Sequence, residues 1–202
     1  MGGDVLRWSQ YRSMPWKNGG GTTREVASGT VQAPSVPAPA QSADGFDWRV
    51  SIADVAAAGP FSPLPGIDRV ITPVEGEGMV LTVDGTAQLV PPLSPFAFSG
   101  DATTDCRLDA GAVRNMNVMT RRGRASARVQ ILRVTAAREP EPTCAAGEIL
   151  LVMATTEGIT LGATDGRASA LGRLDCVRHH GPGALALRGE GTVAEIRITA
   201  PH

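Results

Sequence analysis

Between Met14 and Val26 the chain reads MPWKNGGGTTREV, which gathers Trp16, Lys17, Asn18, three successive glycines, two threonines, Arg24 and Glu25 into one short run. Gly19, Gly20 and Gly21 can adopt positive φ, so their N–H groups can converge beside the Lys17 ammonium and form a cradle for a carboxylate. The plainer reading of the same glycines is a tight turn leading into a strand. If Thr22 to Val26 is extended, Thr22 and Arg24 share one face and Thr23 and Glu25 the other, and only one set can face a pocket. Arg49 and Arg69 offer planar, bidentate partners for an anion, and Ser51 shares a face with Arg49. Each arginine has a structural alternative in a salt bridge to Asp47, Asp54 or Asp68. Asn115, Asn117 and Met119 alternate along one face, and paired amides suit a polar, uncharged group such as a formyl or an amide. Trp16 and Phe61 can supply a stacking wall or pack in the core, with Pro60 to Pro65 as a stiff rim.

Proton transfer is harder to build. The chain has three histidines, His179, His180 and His202, and none in its first half. A His-x-His metal pair is therefore missing, and His179 and His180 project to opposite faces if extended. We expect no metal and no cofactor. Glu25 as a base or Lys17 as a nucleophile would each need burial to shift its pKa, and both residue types are ordinarily solvated.

The elements that must position these residues are strands. The 202 residues are 42% hydrophobic, enough for one sizeable core or two small ones. A net charge of −1 gives no field to recruit nucleic acid or an anionic membrane, and with 4% aromatics the Arg121, Arg122, Arg124 cluster has little stacking surface beside it. Cys106, Cys144 and Cys176 are too scattered for zinc or a disulfide framework, and no stretch is apolar enough to span a membrane or act as a signal peptide, which points to the cytoplasm. Glycine and proline, 24 and 15 residues, punctuate short β-prone runs. Trp48 to Val55 alternates as a strand with one buried face, and Asp84-Gly85 between Met79 and Val90 predicts a two-residue hairpin turn. Further strands are expected from Ala112 to Thr120, Ala127 to Thr135, Glu148 to Ala154, Ala184 to Arg188 and Thr192 to Thr199. Ser28 to Gly45, rich in Ala, Pro and Ser, reads as an inserted surface loop.

The halves echo one another. GMVLTVDG (residues 78–85) resembles GITLGATDG (158–166), and PFAFSGD (95–101) parallels GALALRGE (183–190), in the same order. With a polar, proline-bearing linker at 136–147, this predicts an all-β duplication, an N-terminal half at 1–135 and a C-terminal half at 148–202, folded as two jelly-roll barrels: a double cupin.

MPWKNGGGTTREV, followed by WRVSIADV (48–55), GPFSPLPGIDR (59–69) and NVMTRRG (117–123), resembles the HutD/Ves family, bacterial proteins associated with histidine utilisation. The blocks span the first two thirds of the chain, and Asn115-Met116-Asn117 departs from the family pattern, which has an acidic residue ahead of the asparagine. The resemblance implies a cytoplasmic bicupin that senses or buffers an intermediate of histidine breakdown, such as urocanate or a formylated glutamate derivative. Two other functions stay open: a metal-independent enzyme acting on such an intermediate, and a protein-interaction module. Exposed strand edges also allow a two-fold dimer.

Overall fold

The computed structural model describes residues 3–16, 19–31, 45–162 and 168–200. Among these the helical content is a 3-10 turn at Trp8–Gln10, and no helix is long and apolar enough to cross a membrane. Two compact units form, one from Arg12–Ala127 and the other from Met1–Tyr11 with Arg128–Ala200.

In the first unit a six-stranded antiparallel sheet runs Arg12–Pro15, Gly21–Gly29, Trp48–Val55, Val113–Arg121, Ile67–Glu75, Phe96–Ser99. A four-stranded sheet runs Gly59–Pro60, Thr104–Arg107, Met79–Val83, Thr86–Val90. Both sheets contribute to one core cluster, Val55, Ile71, Met79, Leu81, Val90, Cys106 and Val113. The expected hairpin turn is present, with Asp84 and Gly85 both at positive φ, the geometry that matches strand twist. Trp48–Val55 differs from its expected single buried face: Val50 and Ile52 are buried, and so are Ser51 and Ala53 on the other side. Ile67–Glu75 is a central strand that alternation alone did not predict. Pro73 breaks the strand signal, and it is tolerated here because the ladder with Val113–Arg121 shifts register between Arg114 and Asn115.

The second unit has a five-stranded sheet, Asp4–Leu6, Cys176–His180, Ile149–Ala154, Gly191–Thr199, Ser126–Val134. A three-stranded sheet orders Ala168–Leu171, Ile159–Gly162 and Ala186–Gly189, and Thr143–Cys144 pairs with Gly183–Ala184. Leu150, Val152, Leu161, Val177, Leu187 and Val193 are among the aliphatic residues of its core.

Strand pairing shows the duplication. In the first unit Ile67–Glu75 pairs with Phe96–Ser99 and Val113–Arg121, and Met79–Val83 pairs with Thr86–Val90 and Thr104–Arg107. In the second, Ile149–Ala154 pairs with Cys176–His180 and Gly191–Thr199, and Ile159–Gly162 with Ala168–Leu171 and Ala186–Gly189. The fold is the all-β double cupin. The echo between residues 78–85 and 158–166 falls on corresponding strands. The second echo does not, because Phe96–Ser99 corresponds by its pairing to Cys176–His180 and not to Ala186–Gly189.

Two stretches sit differently from the sequence expectation. Residues 1–11, grouped with the N-terminal half, belong to the second unit, where Asp4–Leu6 extends the sheet beside Cys176–His180. Residues 136–147, read as a linker, are tied into the same unit: the Pro140 and Pro142 carbonyls accept from the Leu187 and Leu185 amides, and Cys144 is 4% exposed. Of the expected 28–45 loop, Ser28 and Gly29 end a strand, and residues 32–44 lie outside the described residues.

Candidate ligand-binding site

Antiparallel register arranges the inner face of the six-stranded sheet in rows. Met119 stands between Arg49 and Arg69, Asn117 between Ser51 and Ile71, and Asn115 between Ala53 and Pro73. Strands lie about 4.8 Å apart, so the backbones of Arg49 and Arg69 are separated by roughly 10 Å. On the flanks, Thr23 is opposite Ala53, Glu25 opposite Ser51, and Phe98 opposite Arg69. Trp16, Arg49, Ser51, Phe61, Arg69, Asn115, Asn117 and Met119 line one cavity of about 460 Å³. Met14, Pro15, Thr23, Ala53, Pro60, Ser62, Leu64 and Ile71 complete its wall.

Arg69 dominates the electrostatics. It is 7% exposed, and its guanidinium carbon lies 5.4 Å from the Phe61 ring centroid and 4.9 Å from that of Phe98. The two aromatic rings stabilise the cation. Among the described residues no carboxylate pairs with it, and its buried Nε has no hydrogen-bond partner. Burial pushes its pKa down to about 10, still a cation at neutral pH. Both amide atoms of Asn115 and Oδ1 of Asn117 are also buried without partners. Each such group costs about 1–3 kcal/mol in the folded state, and they converge on one cavity wall.

Arg49 differs. Its Nε lies 3.0 Å from a Glu25 carboxylate oxygen, an ion pair not aligned as a hydrogen bond, and Ser28 Oγ donates to the other Glu25 oxygen at 3.0 Å. The structural salt bridge foreseen for Arg49 therefore exists, with Glu25 in place of the aspartates, while Arg69 has none among the described residues.

Trp16 donates its indole N–H to Thr23 Oγ1 at 2.7 Å and meets Phe61 edge-on, centroids 6.4 Å apart. Its ring lies directly against Gly21. A Cβ there would fall 3.1 Å from the indole and 2.3 Å from the Asp54 carbonyl oxygen. The glycines therefore stand outside this cavity. Gly19, at φ +72°, donates its amide to the Trp16 carbonyl at 3.1 Å, and Gly20 and Gly21 accept from Ala56 and Trp16. They make a tight turn, and none of Gly19, Gly20 or Gly21 lines the cavity. Lys17 and Asn18 lie outside the described residues.

Thr22 and Arg24 also do not line the cavity, because alternation turns Thr23 and Glu25 inward. Arg24 binds Asp54 on the opposite face, Asp54 also takes Arg114, and Arg114 reaches Glu75 at 2.7 Å. Partial burial pushes Asp54 up, but the bonds and charges of Arg114 and Arg24 outweigh it and hold its carboxyl below the ordinary range. Phe98 and Thr23 were missed, as were Met14, Pro15, Ala53 and Ile71 of the wall. Thr23 was one of the two alternatives left by alternation, and Phe98 was visible as an aromatic in a β-prone run with nothing to link it to Arg69.

Many cupins hold a divalent metal on inward-facing histidines and a carboxylate. Here the corresponding surface presents two guanidiniums and two amides, a donor set that repels a dication. Among the described residues no group of three or more His, Cys, Asp or Glu is placed to hold a metal ion. His179 is buried and His180 exposed on the Cys176–His180 strand. The cavity does not fit such a metal.

In the second unit Glu195 and Arg197 satisfy one another, although Nε2 of the buried His179 has no hydrogen-bond partner among the described residues. Glu195, 2% exposed, accepts from Gln130 at 3.0 Å and pairs with Arg197, which also reaches the Thr143 carbonyl at 2.7 Å and Glu148 at 3.2 Å. A cation there has its anions; the one at Arg69 does not.

The family model HutD matches residues 8–195. The chain is 34% identical to an uncharacterised 21.2 kDa protein in the hutC 3' region of Pseudomonas putida, over 88% of this chain and 86% of that protein. It is 37% identical to protein Ves of Citrobacter koseri over 62% of this chain and 63% of that one. The structure of HutD from Pseudomonas fluorescens SBW25 superposes with a TM-score of 0.78 at 35% identity, covering 98% of this chain and 99% of that chain. A cupin 2 conserved barrel domain protein from Leptotrichia buccalis shares the fold at 7% identity with a TM-score of 0.57, covering 100% of this chain and 98% of that chain.

Proposed function

This chain belongs to the HutD family, and from that premise, together with the buried Arg69 that no acid among the described residues accompanies, we propose that it is a non-enzymatic binding protein for a small carboxylate, acting as a sensor or buffer in histidine catabolism. Arg69 is the observation that carries the reading. A carboxylate arriving in the guanidinium plane replaces the missing anion through two charge-assisted hydrogen bonds, in a site dry enough to make them strong. Asn115 and Asn117 then take a carbonyl or N–H further along the ligand, and Trp16 and Phe61 flank its apolar body. A neighbour of hutC among the relatives favours urocanate or a formylglutamate-like compound as that ligand. Glu25, the carboxylate best placed to act as a base, is engaged by Arg49 and Ser28, which favours binding over proton transfer.

A thermal-shift series with urocanate, N-formylglutamate, glutamate, histidine and formate tests this, using wild type beside Arg69→Met and checking ligand recovery. At ligand about 100-fold above Kd the wild type gains about 2.7 kcal/mol, and Arg69→Met gains none. Failure of every carboxylate to stabilise the wild type removes the reading, and loss of ligand during incubation replaces it with an enzyme.

A further inference from the structure

The two arginines of the cavity are not equivalent, and the difference lies in Glu25. It stands on the inward face of the Gly21–Gly29 strand, opposite Ser51, and is fixed from two sides by Arg49 at 3.0 Å and Ser28 at 3.0 Å. Arg49 contributes to the cavity wall while its charge is already answered. Arg69, two strands away across Met119, has no acid among the described residues. Among the described residues the cavity wall therefore carries one uncompensated positive charge, at Arg69. We propose that Glu25 is a specificity-determining residue: by holding Arg49 it matches the cavity to ligands with a single carboxylate and disfavours dicarboxylates.

A second ligand carboxylate could be neutralised at Arg49, about 10 Å of backbone from Arg69, if it displaced Glu25. Glu25 would then lose its cation and stand as a like charge beside the incoming group. The ion pair is partly solvated, with side-chain exposures of 23% for Arg49 and 38% for Glu25, so it discriminates and does not forbid. This inference rests on the carboxylate-binding reading above. Of the ligands named there, it favours a singly charged, urocanate-like acid over a dianion.

The probes are N-formylglutamate and N-formylglutamine, which share a skeleton and differ by one carboxylate. Their dissociation constants are measured by calorimetry for wild type, Glu25→Gln and Glu25→Ala, with Arg69→Met as the control for the site. Wild type binds N-formylglutamine more tightly. Both Glu25 variants shift the ratio toward N-formylglutamate by about five-fold, through tighter binding of the dianion. An unchanged ratio, or a wild-type preference for N-formylglutamate, overturns the proposal while leaving the carboxylate site standing. If wild type binds neither probe, this proposal falls while the carboxylate reading still rests on the other acids of the series; if Arg69→Met binds both as well as wild type does, the carboxylate reading falls and takes this one with it.

Discussion

Arg69 brings together a cost and a use. A guanidinium held at 7% exposure without a carboxylate among the described residues destabilises the free protein, and the rings of Phe61 and Phe98 offset only part of that. Its pKa, pushed down by burial to about 10, keeps it charged throughout the neutral range, and no histidine lines the cavity. Binding of an acid whose only titrating groups are carboxyls therefore has no reason to change between about pH 6 and 9. N-formylglutamine titrated into the protein across that range should give a flat dissociation constant. Binding should weaken below about pH 4 as the ligand is protonated, and above about pH 10 as Arg69 loses its proton. A midpoint near neutrality would place a different group at the ligand. Arg69 was legible in the sequence only as one of two arginines with equal claims to a salt bridge. What separates it from Arg49 is the long-range pairing that sets Phe98 opposite one and Glu25 near the other, and no local pattern encodes that.

The strand turning on Gly19 to Gly21 shows what a motif can and cannot tell by itself. Three glycines in a row permit both an anion cradle and a tight turn, and the structure resolves them into two separate demands. Gly19 supplies a positive φ in open space, and Gly21 supplies the bare backbone on which Trp16 lies. Gly19→Ala should cost about 1 kcal/mol for the left-handed backbone and leave ligand affinity unchanged. Gly21→Ala forces a methyl into the Asp54 carbonyl and the Trp16 ring. It should cost about 1–3 kcal/mol in denaturant unfolding and weaken binding by displacing the indole. A cradle would predict the opposite order for affinity, with Gly19 the more sensitive position. At this scale the strands with clean alternation or a strong turn, Trp48–Val55 and the hairpin around Asp84, could be read from sequence. Ile67–Glu75 could not, since its proline contradicts a central strand until the register shift beside it is known.

The same pairing pattern, written twice in one chain, ends in two different interiors. The second unit fills its core with aliphatic side chains and pairs its buried Glu195 with Arg197. The first keeps a cavity of about 460 Å³ with buried amide and guanidinium groups left over. Duplication was visible in the sequence as one faithful echo and one misleading one, because strand composition repeats more readily than strand partners do. The division of labour was not visible, since it depends on which inward residues find partners. A ligand that contacts only the first unit should tighten local opening there and not elsewhere. Hydrogen exchange with and without saturating N-formylglutamine should therefore show added amide protection in Trp48–Val55, Ile67–Glu75 and Val113–Arg121. Ile149–Ala154 and Gly191–Thr199 should be unchanged at times short of global unfolding. Protection arising first in the second unit would move the binding site to that barrel, and would make His179, Glu195 and Arg197 the residues to substitute next.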